Sequence, residues 1–436
     1  MDELQIGIAK VDVTPSGAVP MAGYVARVGQ SLGVHDPLWA RCFLFHHGRA
    51  RGALVVLEVV GVHEHWAAEA QRRVAAAADV PPEGVVVACT HTHSGPAGLD
   101  VPPTPDPTQT AMAEAILARV EQAAAQAAQA LAPARVGVAT APVPGIAGHR
   151  TRPQQPVDQT LWALVIGDAM GRVRAVLANF PCHSTVLGPD NRLLSGDLFG
   201  AAAAAAERRL DHGAVVALTV GAAGDISTRF FRQAQDFHEV DRLGGLLATA
   251  LVRLVQAATP ARDASVAVRW RRCWLPYKPA PTADEARRMA EELRAELAAL
   301  VRQGTVPPGA LHIARTRVEG AERLLAMVEA GMLAAGGAEA VLCGLRIGPG
   351  ILIGIPGEPF SSVGQAIRDR ATPPFQATGL GLANGYLGYF PDEDAVRTGW
   401  YEALISPFDH RATMVLTAAA TALVAEMEEE DSGRRA

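Results

Sequence analysis

The chain has 436 residues and a mass of 45.7 kDa, with 49% apolar and 19% charged residues. This balance supplies ample material for a hydrophobic core and excludes intrinsic disorder and coiled coil. Lysine and arginine number 39 and aspartate and glutamate 45, which gives a formal net charge of −6. Because no strongly basic segment offsets this charge, we expect no nucleic-acid partner and no attachment to a membrane through a polybasic segment.

The cysteines and the first residues indicate a reducing compartment. Five cysteines, at positions 42, 89, 182, 273 and 343, are scattered without any C-x-x-C pair, so buried free thiols are expected instead of a disulfide framework. The opening MDELQIGIAKVDVTP does not read as a signal peptide, and no window reaches the ~18 apolar residues of a membrane-spanning helix. We expect a cytoplasmic protein without a stable membrane anchor, or a secreted one if a signal has been trimmed.

Short apolar β-type runs alternate with alanine-rich helical stretches along the first half of the chain. Strands are predicted at 52–62, 84–90, 134–145, 161–168, 173–184 and 214–225, and helices at 64–78, 111–132 and 197–210. This alternation predicts an α/β fold with a mixed, largely parallel sheet core flanked by helices.

Residues 282–334 depart from this pattern. They form two charged amphipathic stretches joined by a Pro-Gly turn at 307–309, which predicts an inserted helical hairpin on the rim of the sheet domain. Its charges are interpreted as a solvated face, with partner binding as the less favoured alternative. The sheet pattern resumes at 341–358, and no internal repeat is found. The chain, residues 1–436, is therefore predicted to be a single domain.

Polar residues follow four of the predicted strands at the point where each strand ends. They are His91 with His93, His183, Asp225-Ile226-Ser227, and Glu358. In α/β folds the binding crevice lies at the carboxyl ends of strands. Two histidine sites and one carboxylate form a suitable ligand set for zinc, with an open position for water. Either both His91 and His93 bind the metal, or one binds it and the other handles protons.

Structural interpretations of the same residues remain open. Histidines often cap turns, and two further histidine pairs, at 46–47 and 63–65, show that closely spaced histidines are common in this chain. Ser227 lies in GAAGDIST, which is neither a G-x-S-x-G elbow nor a Walker loop. The glycine-rich run either exposes N–H groups as an oxyanion site or is a tight turn in which Ser227 caps the next helix.

Five motifs occur in a fixed order along the chain. They are THTHSGPAG (90–98), HSTVLG with SGDLFG (183–188 and 195–200), GAAGDIST (221–228), IPGEP (355–359) and NGYLGY (384–389). Together they resemble the catalytic domain of the neutral/alkaline (non-lysosomal) ceramidase family. The segments GIAKVDVTP, MAGY and GVHDPLWAR resemble the opening of that family, so the resemblance covers about residues 6–407.

The resemblance implies a zinc-dependent amidohydrolase of sphingolipid metabolism that cleaves the N-acyl bond of ceramide. It implies His91, His183 and Glu358 as ligands of one zinc ion per chain, with Tyr386 close to or on the metal. The partner would then be a lipid or small-molecule N-acyl substrate.

The resemblance also implies a set of catalytic residues. His93 resembles a histidine beside the substrate amide, and Ser227 resembles the serine of a G-D-x-S motif. Arg150 in HRTRP resembles an arginine that polarises the substrate carbonyl, but the family's Asn-Arg-Ser-Pro differs here and leaves Arg152 as an alternative. Tyr401 in GWYEA resembles a tyrosine of the family's YEGAS segment.

This reading predicts that metal-activated water attacks an acyl carbonyl while Arg150 stabilises the oxyanion and His93 protonates the leaving nitrogen. Ser227 would orient the water or the amide, or act as nucleophile. Asp197 and Asp225 either fix a histidine tautomer or form turns. The alternatives are a zinc-dependent esterase or lactonase, and a metal- or lipid-binding relative without turnover, against which the presence of both Ser227 and Arg150 argues.

Two departures bear on the substrate. Larger family members continue into an immunoglobulin-like C-terminal domain, which this chain, ending soon after the segment at 401, is expected to lack. Aromatic residues are only 5%, which leaves few rings for docking on a membrane. Soluble short-chain N-acyl substrates are therefore expected to be turned over faster than long-chain ceramide in vesicles.

Overall fold

The computed structural model describes residues 3–103, 106–210, 213–261, 264–304, 308–333 and 335–432. Within these ranges lie nineteen strands and ten α-helices. In chain order the strands are β1 Gln5–Asp12, β2 Gly33–Val34, β3 Trp39–His47, β4 Ala50–Leu57, β5 Val85–Cys89, β6 Ala132–Pro133, β7 Arg135–Pro142, β8 Gly148–His149, β9 Thr160–Gly167, β10 Val173–Phe180, β11 Leu193–Leu194, β12 Val215–Val220, β13 Ile226–Ser227, β14 Val266–Pro276, β15 Gly337–Ile347, β16 Gly350–Gly354, β17 Glu358–Pro359, β18 Gln376–Leu380 and β19 Tyr389–Phe390. The helices are α1 Glu64–Ala78, α2 Pro107–Gln129, α3 Asp197–Arg209, α4 Phe237–Ala257, α5 Ala283–Gln303, α6 Pro308–Glu329, α7 Ser361–Arg370, α8 Glu393–Thr398, α9 Tyr401–Ile405 and α10 His410–Ser432.

Three larger sheets repeat one pattern of strand pairing. Their strand orders are β5-β4-β3-β1-β6, β12-β10-β9-β7 and β14-β15-β16-β18. In each sheet one pair is parallel, namely β4–β5, β10–β12 or β16–β18, and the other pairs are antiparallel. A helix (α1, α3 or α7) connects each parallel pair, and a second helix (α2, α4 or α10) follows later in the chain. The sequence shows no repeat, but the strand order recurs three times.

The lengths of the connections explain the pairing. β3 and β4 are joined by Gly48 and Arg49, and β15 and β16 by Gly348 and Pro349, with φ values of 57° at Gly48 and 56° at Gly348. Such short turns join only antiparallel neighbours, whereas parallel neighbours need a crossover helix. The mixed α/β class is confirmed. The three larger sheets are less parallel than expected, because within them only the strands joined by a crossover helix pair in parallel.

An apolar core lies where the three larger sheets face one another. It contains fully buried residues of β3, β9 and β15, among them Phe43, Trp162 and Leu345. Alternate side chains of each strand point to the opposite face. In β4, Leu54 faces this central core while Val55 packs with helices α1 to α4. Helices α7 and α10 cover the third sheet in the same way. The strands are therefore apolar on both faces, which is why they read as continuous apolar runs.

Helices α5 and α6 form the predicted helical hairpin, although residue 307 of its predicted turn lies outside the described residues. α5 begins with a capping box between Thr282 and Glu285. The two helices pack through a small apolar cluster that Leu404 of α9 completes. Their outer faces carry ion pairs such as Arg294–Glu322 at 2.8 Å. The hairpin is therefore fixed to the body through α9.

The cysteine prediction is confirmed, since all five thiols are free and four of them are buried. Burial raises the pKa of the Cys42 thiol to about 12, so this thiol stays protonated. Among the described residues, none of the helices combines the length and the apolar character that crossing a membrane requires.

Candidate active site

The carboxyl ends of the parallel strand pairs meet at one place in the molecule. After β18, the Gly381 N–H donates to the carbonyl of Val220 at the end of β12, and the Asn384 N–H donates to the carbonyl of Val87 in β5. The Asn384 Oδ1 also accepts the Val87 N–H at 2.8 Å. These bonds tie the three sheets together, so the loops that follow β5, β10 and β16 emerge side by side.

Three buried side chains from these loops converge on one point: His91, His183 and Glu358. Their nearest nitrogen and oxygen atoms all lie within 4.8 Å of one another. Nε2 of His183 lies 2.9 Å, and Nε2 of His91 3.4 Å, from Glu358 Oε2. On the far side of each ring, Nδ1 of His91 lies 2.6 Å from the carbonyl of Val60, and Nδ1 of His183 lies 2.8 Å from that of Ala223.

The protonation of these rings follows from their partners. A carbonyl oxygen only accepts, so each Nδ1 must carry a proton, and in the neutral ring each Nε2 then presents a lone pair. Glu358 Oε2 is buried and has no hydrogen-bond donor among the described residues. Three lone-pair atoms that face one another in a buried place are unfavourable unless a cation lies between them. Two imidazole nitrogens and a carboxylate oxygen fit a metal ion.

Electrostatics favour the same assignment. Burial and, to a smaller extent, the Arg150 guanidinium lower the pKa of His183 to about 4, so the ring is neutral. A neutral imidazole and an ionised carboxylate are the forms that bind metals.

Backbone carbonyls, and not carboxylates, fix the two histidine tautomers. Asp197 accepts the N–H groups of Val186 at 3.0 Å and Leu187 at 3.2 Å. Asp225 accepts the N–H of Ser361 at 2.7 Å and its hydroxyl at 2.6 Å. Of the two interpretations open for these aspartates, the geometry supports the formation of turns and loops.

His93 lies beside the ligand cluster and not within it. Its Nε2 is 3.2 Å from Nε2 of His91, and its ring packs edge-on against Tyr24 at 4.9 Å. Gly23 makes this possible, because a Cβ there would lie 2.5 Å from the His93 ring. Burial lowers the pKa of His93 well below its usual value, and His91 and His183 add to the effect. The geometry therefore groups His91 with His183 and Glu358 as candidate metal ligands and leaves His93 outside that group.

Two tyrosines of the NGYLGY motif flank the cluster. The Tyr386 hydroxyl donates to Glu358 Oε1 at 2.8 Å, which places it one hydrogen bond from the proposed ligand atom. The Tyr389 ring stacks on His183 with centroids 6.4 Å apart and an interplanar angle of 11°. Sequence reasoning missed Tyr389, although it ends the same motif. Gly388 lies between the two tyrosines with φ of 101°, a backbone conformation that favours glycine.

The structure separates the two candidate arginines. Arg150 Nη1 lies 3.5 Å from Nε2 of His183, and its Nε lies 3.1 Å from Glu402 Oε1. Burial opposes the charge on Arg150, but Glu402 and Tyr389 outweigh it and raise its pKa. Arg152 instead reaches Asp394 at 2.6 Å with its side chain 42% exposed. Arg150 is the one at the cluster, and Glu402 is a partner that sequence reasoning missed.

Ser227 is buried next to the cluster. Its Oγ accepts the Arg229 N–H at 3.3 Å, and β13, which contains it, pairs with β8 just before Arg150. The glycine-rich run does not offer its N–H groups freely, because those of Gly221, Gly224 and Ile226 bond to backbone carbonyls. Ser227 does not cap a helix either, since α4 begins only at residue 237. The serine hydroxyl therefore contributes little to holding the fold together.

A cleft with two lobes opens onto the cluster. The first lobe, about 320 Å³, is lined by ligand residues together with Val25, Val60 and Ile405. The second lobe, about 370 Å³, is called the arginine lobe here because Arg150, Arg229 and Arg232 line it, together with His183, Ser227 and His312. Six residues line both lobes: Gly23, Tyr24, Val25, His93, Tyr389 and Tyr401.

The helical hairpin forms the outer wall of this cleft. From α6, Arg323 lines the first lobe, and His312 and Glu319 line the arginine lobe. Arg323 Nη1 also donates to the Tyr401 hydroxyl at 2.9 Å. The sequence favoured a solvated charged face for the hairpin over a partner-binding one, because its contact with the cleft depends on α9, which lies far along the chain.

Comparisons with known proteins point in one direction. A family model described as neutral/alkaline non-lysosomal ceramidase, N-terminal, matches residues 4–236, slightly more than half of the chain. A curated protein, the neutral ceramidase of Pseudomonas aeruginosa, is 27% identical over 223 residues, which are 44% of this chain and 32% of that protein. The matched region thus spans about a third of the relative's length.

Two solved structures share the fold. A crystal structure of neutral ceramidase from Pseudomonas aeruginosa superposes with a TM-score of 0.72 at 20% identity, covering 98% of this chain and 75% of that chain. A structure described as ceramidase complexed with C2 gives a TM-score of 0.71 at 19% identity, covering 98% and 76%.

Proposed function

The chain belongs to the neutral/alkaline non-lysosomal ceramidase family, and from this premise we propose that it is a zinc-dependent amidohydrolase that cleaves the N-acyl bond of ceramide or of a ceramide-like substrate. One observation carries the proposal. The side chains of His91, His183 and Glu358 converge, Glu358 Oε2 has no hydrogen-bond donor among the described residues, and the Arg150 guanidinium lies 3.5 Å from Nε2 of His183. Holding a metal requires only the three ligands, whereas acyl transfer also gains from a donor beside the oxygen on which negative charge develops.

The donor set supports zinc as the metal, one ion per chain. Zinc favours imidazole nitrogens and a carboxylate oxygen with one position left open. Bound there, it would supply Lewis acidity and lower the pKa of water to about 7. His91, His183 and Glu358 would hold it. The Tyr386 hydroxyl, which donates to Oε1 at 2.8 Å, would orient the carboxylate so that Oε2 faces the imidazoles.

Arg150 would bind the acyl carbonyl oxygen. Its guanidinium is planar and permanently charged, so it donates to an oxygen on which negative charge develops. Glu402, at 3.1 Å from Nε, holds the side chain in place. A guanidinium fixed in this way needs no reorganisation during the reaction.

His93 and Ser227 would handle the proton and the amide. The neutral His93 ring accepts a proton at Nε2 and donates it to the leaving nitrogen. The Ser227 hydroxyl, in the same lobe as Arg150, would contact the amide or the attacking water, or act as nucleophile. Rapid quenching that traps an acyl-enzyme would assign the nucleophile role.

A matched pair of substrates tests the activity. We expect the purified protein to hydrolyse a short-chain N-acyl amide, to lose at least about 10³-fold in rate with a chelator, and to recover when zinc is added. A strong preference for the ester with the same acyl chain would identify an esterase or lactonase. Failure of the fully metal-loaded protein to cleave either bond would refute the proposal.

Chain length is the next property to measure. The two lobes of about 320 and 370 Å³ hold a short acyl chain, whereas a long chain would extend into solvent. We expect kcat/KM to be higher for soluble short-chain substrates than for long-chain ceramide in vesicles. The reverse preference would make membrane ceramide the substrate.

A further inference from the structure

Two guanidinium groups of the arginine lobe have no carboxylate partner within ion-pair distance among the described residues. Arg229 Nη1 donates to the carbonyl of Arg150 at 2.8 Å. Arg232 Nη1 donates to the carbonyl of Thr185 at 2.5 Å. Both side chains are half-buried, and both line the lobe that contains Ser227. Each guanidinium has five N–H donors, so carbonyl partners leave several donors for a ligand.

The acidic groups of the same lobe do not neutralise them. Glu402 is already paired with Arg150 at 3.1 Å. Glu319, on α6, is exposed at the edge of the lobe. Asp197, which acts on Arg232 electrostatically, uses both carboxylate oxygens to accept backbone N–H groups.

His312 also lines the lobe, and its protonation reflects the positive electrostatic potential there. Burial lowers the pKa of His312 to about 4, and Arg229, Arg232 and Arg150 lower it in turn. Burial, followed by Arg150, also lowers the pKa of Arg229 to about 9. Unpaired cations in a partly desolvated cavity are costly and suit an anionic ligand.

We infer that the arginine lobe binds an anionic group of the substrate, a carboxylate or a phosphate, so that the enzyme prefers N-acyl amides that carry a negative charge close to the amide. This inference rests on the proposed function. Arg229 Nη1 reaches the backbone carbonyl of Arg150, and both arginines line the same lobe as Ser227. The anion would therefore lie in the lobe that receives the scissile amide, as the carboxylate of an N-acyl amino acid would. Guanidinium forks bind carboxylate and phosphate in a bidentate manner.

Matched substrate pairs test the inference. N-hexanoylglycine is compared with N-hexanoylglycinamide, and N-hexanoyl-O-phosphoethanolamine with N-hexanoylethanolamine, so each pair differs mainly in charge. We expect the wild type to prefer the charged member by at least about tenfold in kcat/KM. The pair with the larger preference separates a carboxylate from a phosphate.

Single variants then locate the charge. In Arg229→Gln and Arg232→Gln the preference should fall to about threefold or less, mainly through a higher KM for the charged substrate, with the neutral substrate little affected. Arg315→Gln, an exposed arginine of α6 outside the lobe, is the matched control and should keep the preference. Thermal midpoints and zinc content establish that each variant is folded.

Two results would overturn the inference: a wild type without charge preference, or variants that lose the charged and neutral substrates equally. If the metal-loaded wild type cleaves no amide, the proposed function fails, and calorimetric binding of inorganic phosphate and N-hexanoylglycine still decides the anion site. Binding that Arg229→Gln weakens at least about tenfold supports it, and equal or absent binding refutes it.

Discussion

The two walls of the cleft are built in different ways. The inner wall consists of loops at the carboxyl ends of the sheets, where buried rings such as His91 and His183 are oriented by backbone carbonyls. The outer wall consists of α6 and α9, and its contacts, such as that from the exposed Arg323 to the half-buried Tyr401 at 2.9 Å, lie close to solvent. We therefore expect the chemistry to depend on atoms that the backbone fixes, and substrate selection to depend on side chains that can change without disturbing the sheets.

The largest expected effect comes from breaking the inner wall. His183→Ala removes one of three ligands, so the protein should lose its zinc and at least about 10³-fold in activity. Metal analysis of the purified variant measures the first effect. His312→Ala, on the outer wall, should keep the metal. Full occupancy in His183→Ala would remove that histidine from the ligand set.

Ser227→Ala should lower kcat by about 10²-fold while zinc content and thermal midpoint stay unchanged. The physical reason is that its Oγ accepts one N–H at 3.3 Å, so truncation costs little stability. Turnover close to that of the wild type would make the serine an ordinary loop residue.

Tyr401, a residue of the outer wall that lines both lobes, sharpens the comparison. Arg323→Gln should raise KM by about threefold to tenfold and leave kcat within about twofold, because it acts on substrate binding alone. Among the described residues, the hydrogen-bond partner of the Tyr401 hydroxyl is Arg323. Tyr401→Phe should therefore change KM by the same factor as Arg323→Gln, and the double variant should change KM no more than either single variant. A fall in kcat of about 10²-fold in Tyr401→Phe alone would place this tyrosine in the chemistry, as the family resemblance implies.

The smallest effect concerns pH. His149 precedes Arg150 and is fully buried, and its Nδ1 accepts the N–H groups of Thr151 and Arg152, both at 3.1 Å. Burial, followed by Arg152, lowers its pKa to about 4. The unfolded chain therefore binds more protons than the folded one as pH falls from about 6.5 to 4, and stability falls across this window.

His149→Asn should remove this dependence. Between pH 7 and 5, the free energy of unfolding of the wild type should fall by about 1–2 kcal/mol more than that of the variant. Chemical denaturation at the two pH values measures the difference. Parallel pH slopes for the two proteins would show that His149 is not held neutral in the fold.

Local signals of the sequence predicted local structure well. Helix α1 was predicted at 64–78 and spans Glu64–Ala78, because its apolar period and alanine content are contained in the segment itself. Helix α2 begins earlier than the predicted residue 111, at Pro107. There Asp106 caps the helix by accepting the Thr108 N–H, and the proline occupies the first helical position. An Asp-Pro pair of this kind is a helix start that the predicted boundary left out.

The rest of the site depends on contacts distant in sequence. Tyr389, Glu402, Arg229 and Arg232 lie in short or irregular segments, where no period predicts which side chain faces the cleft. They meet only because three sheets bring their strand ends together. The recurring strand order was also invisible, since it is carried by connection lengths and not by shared residues.

That recurrence has a thermodynamic consequence. His91 follows the parallel pair of the first sheet, His183 follows a strand of the second, and Glu358 follows a strand of the third. An ion held by all three would bind only when the three strand–helix units are folded and docked together. At a free metal concentration 1,000-fold above Kd, such linkage adds about 4 kcal/mol to the stability of that state. The ion would thus act as a non-covalent cross-link that makes three separately organised units unfold as one.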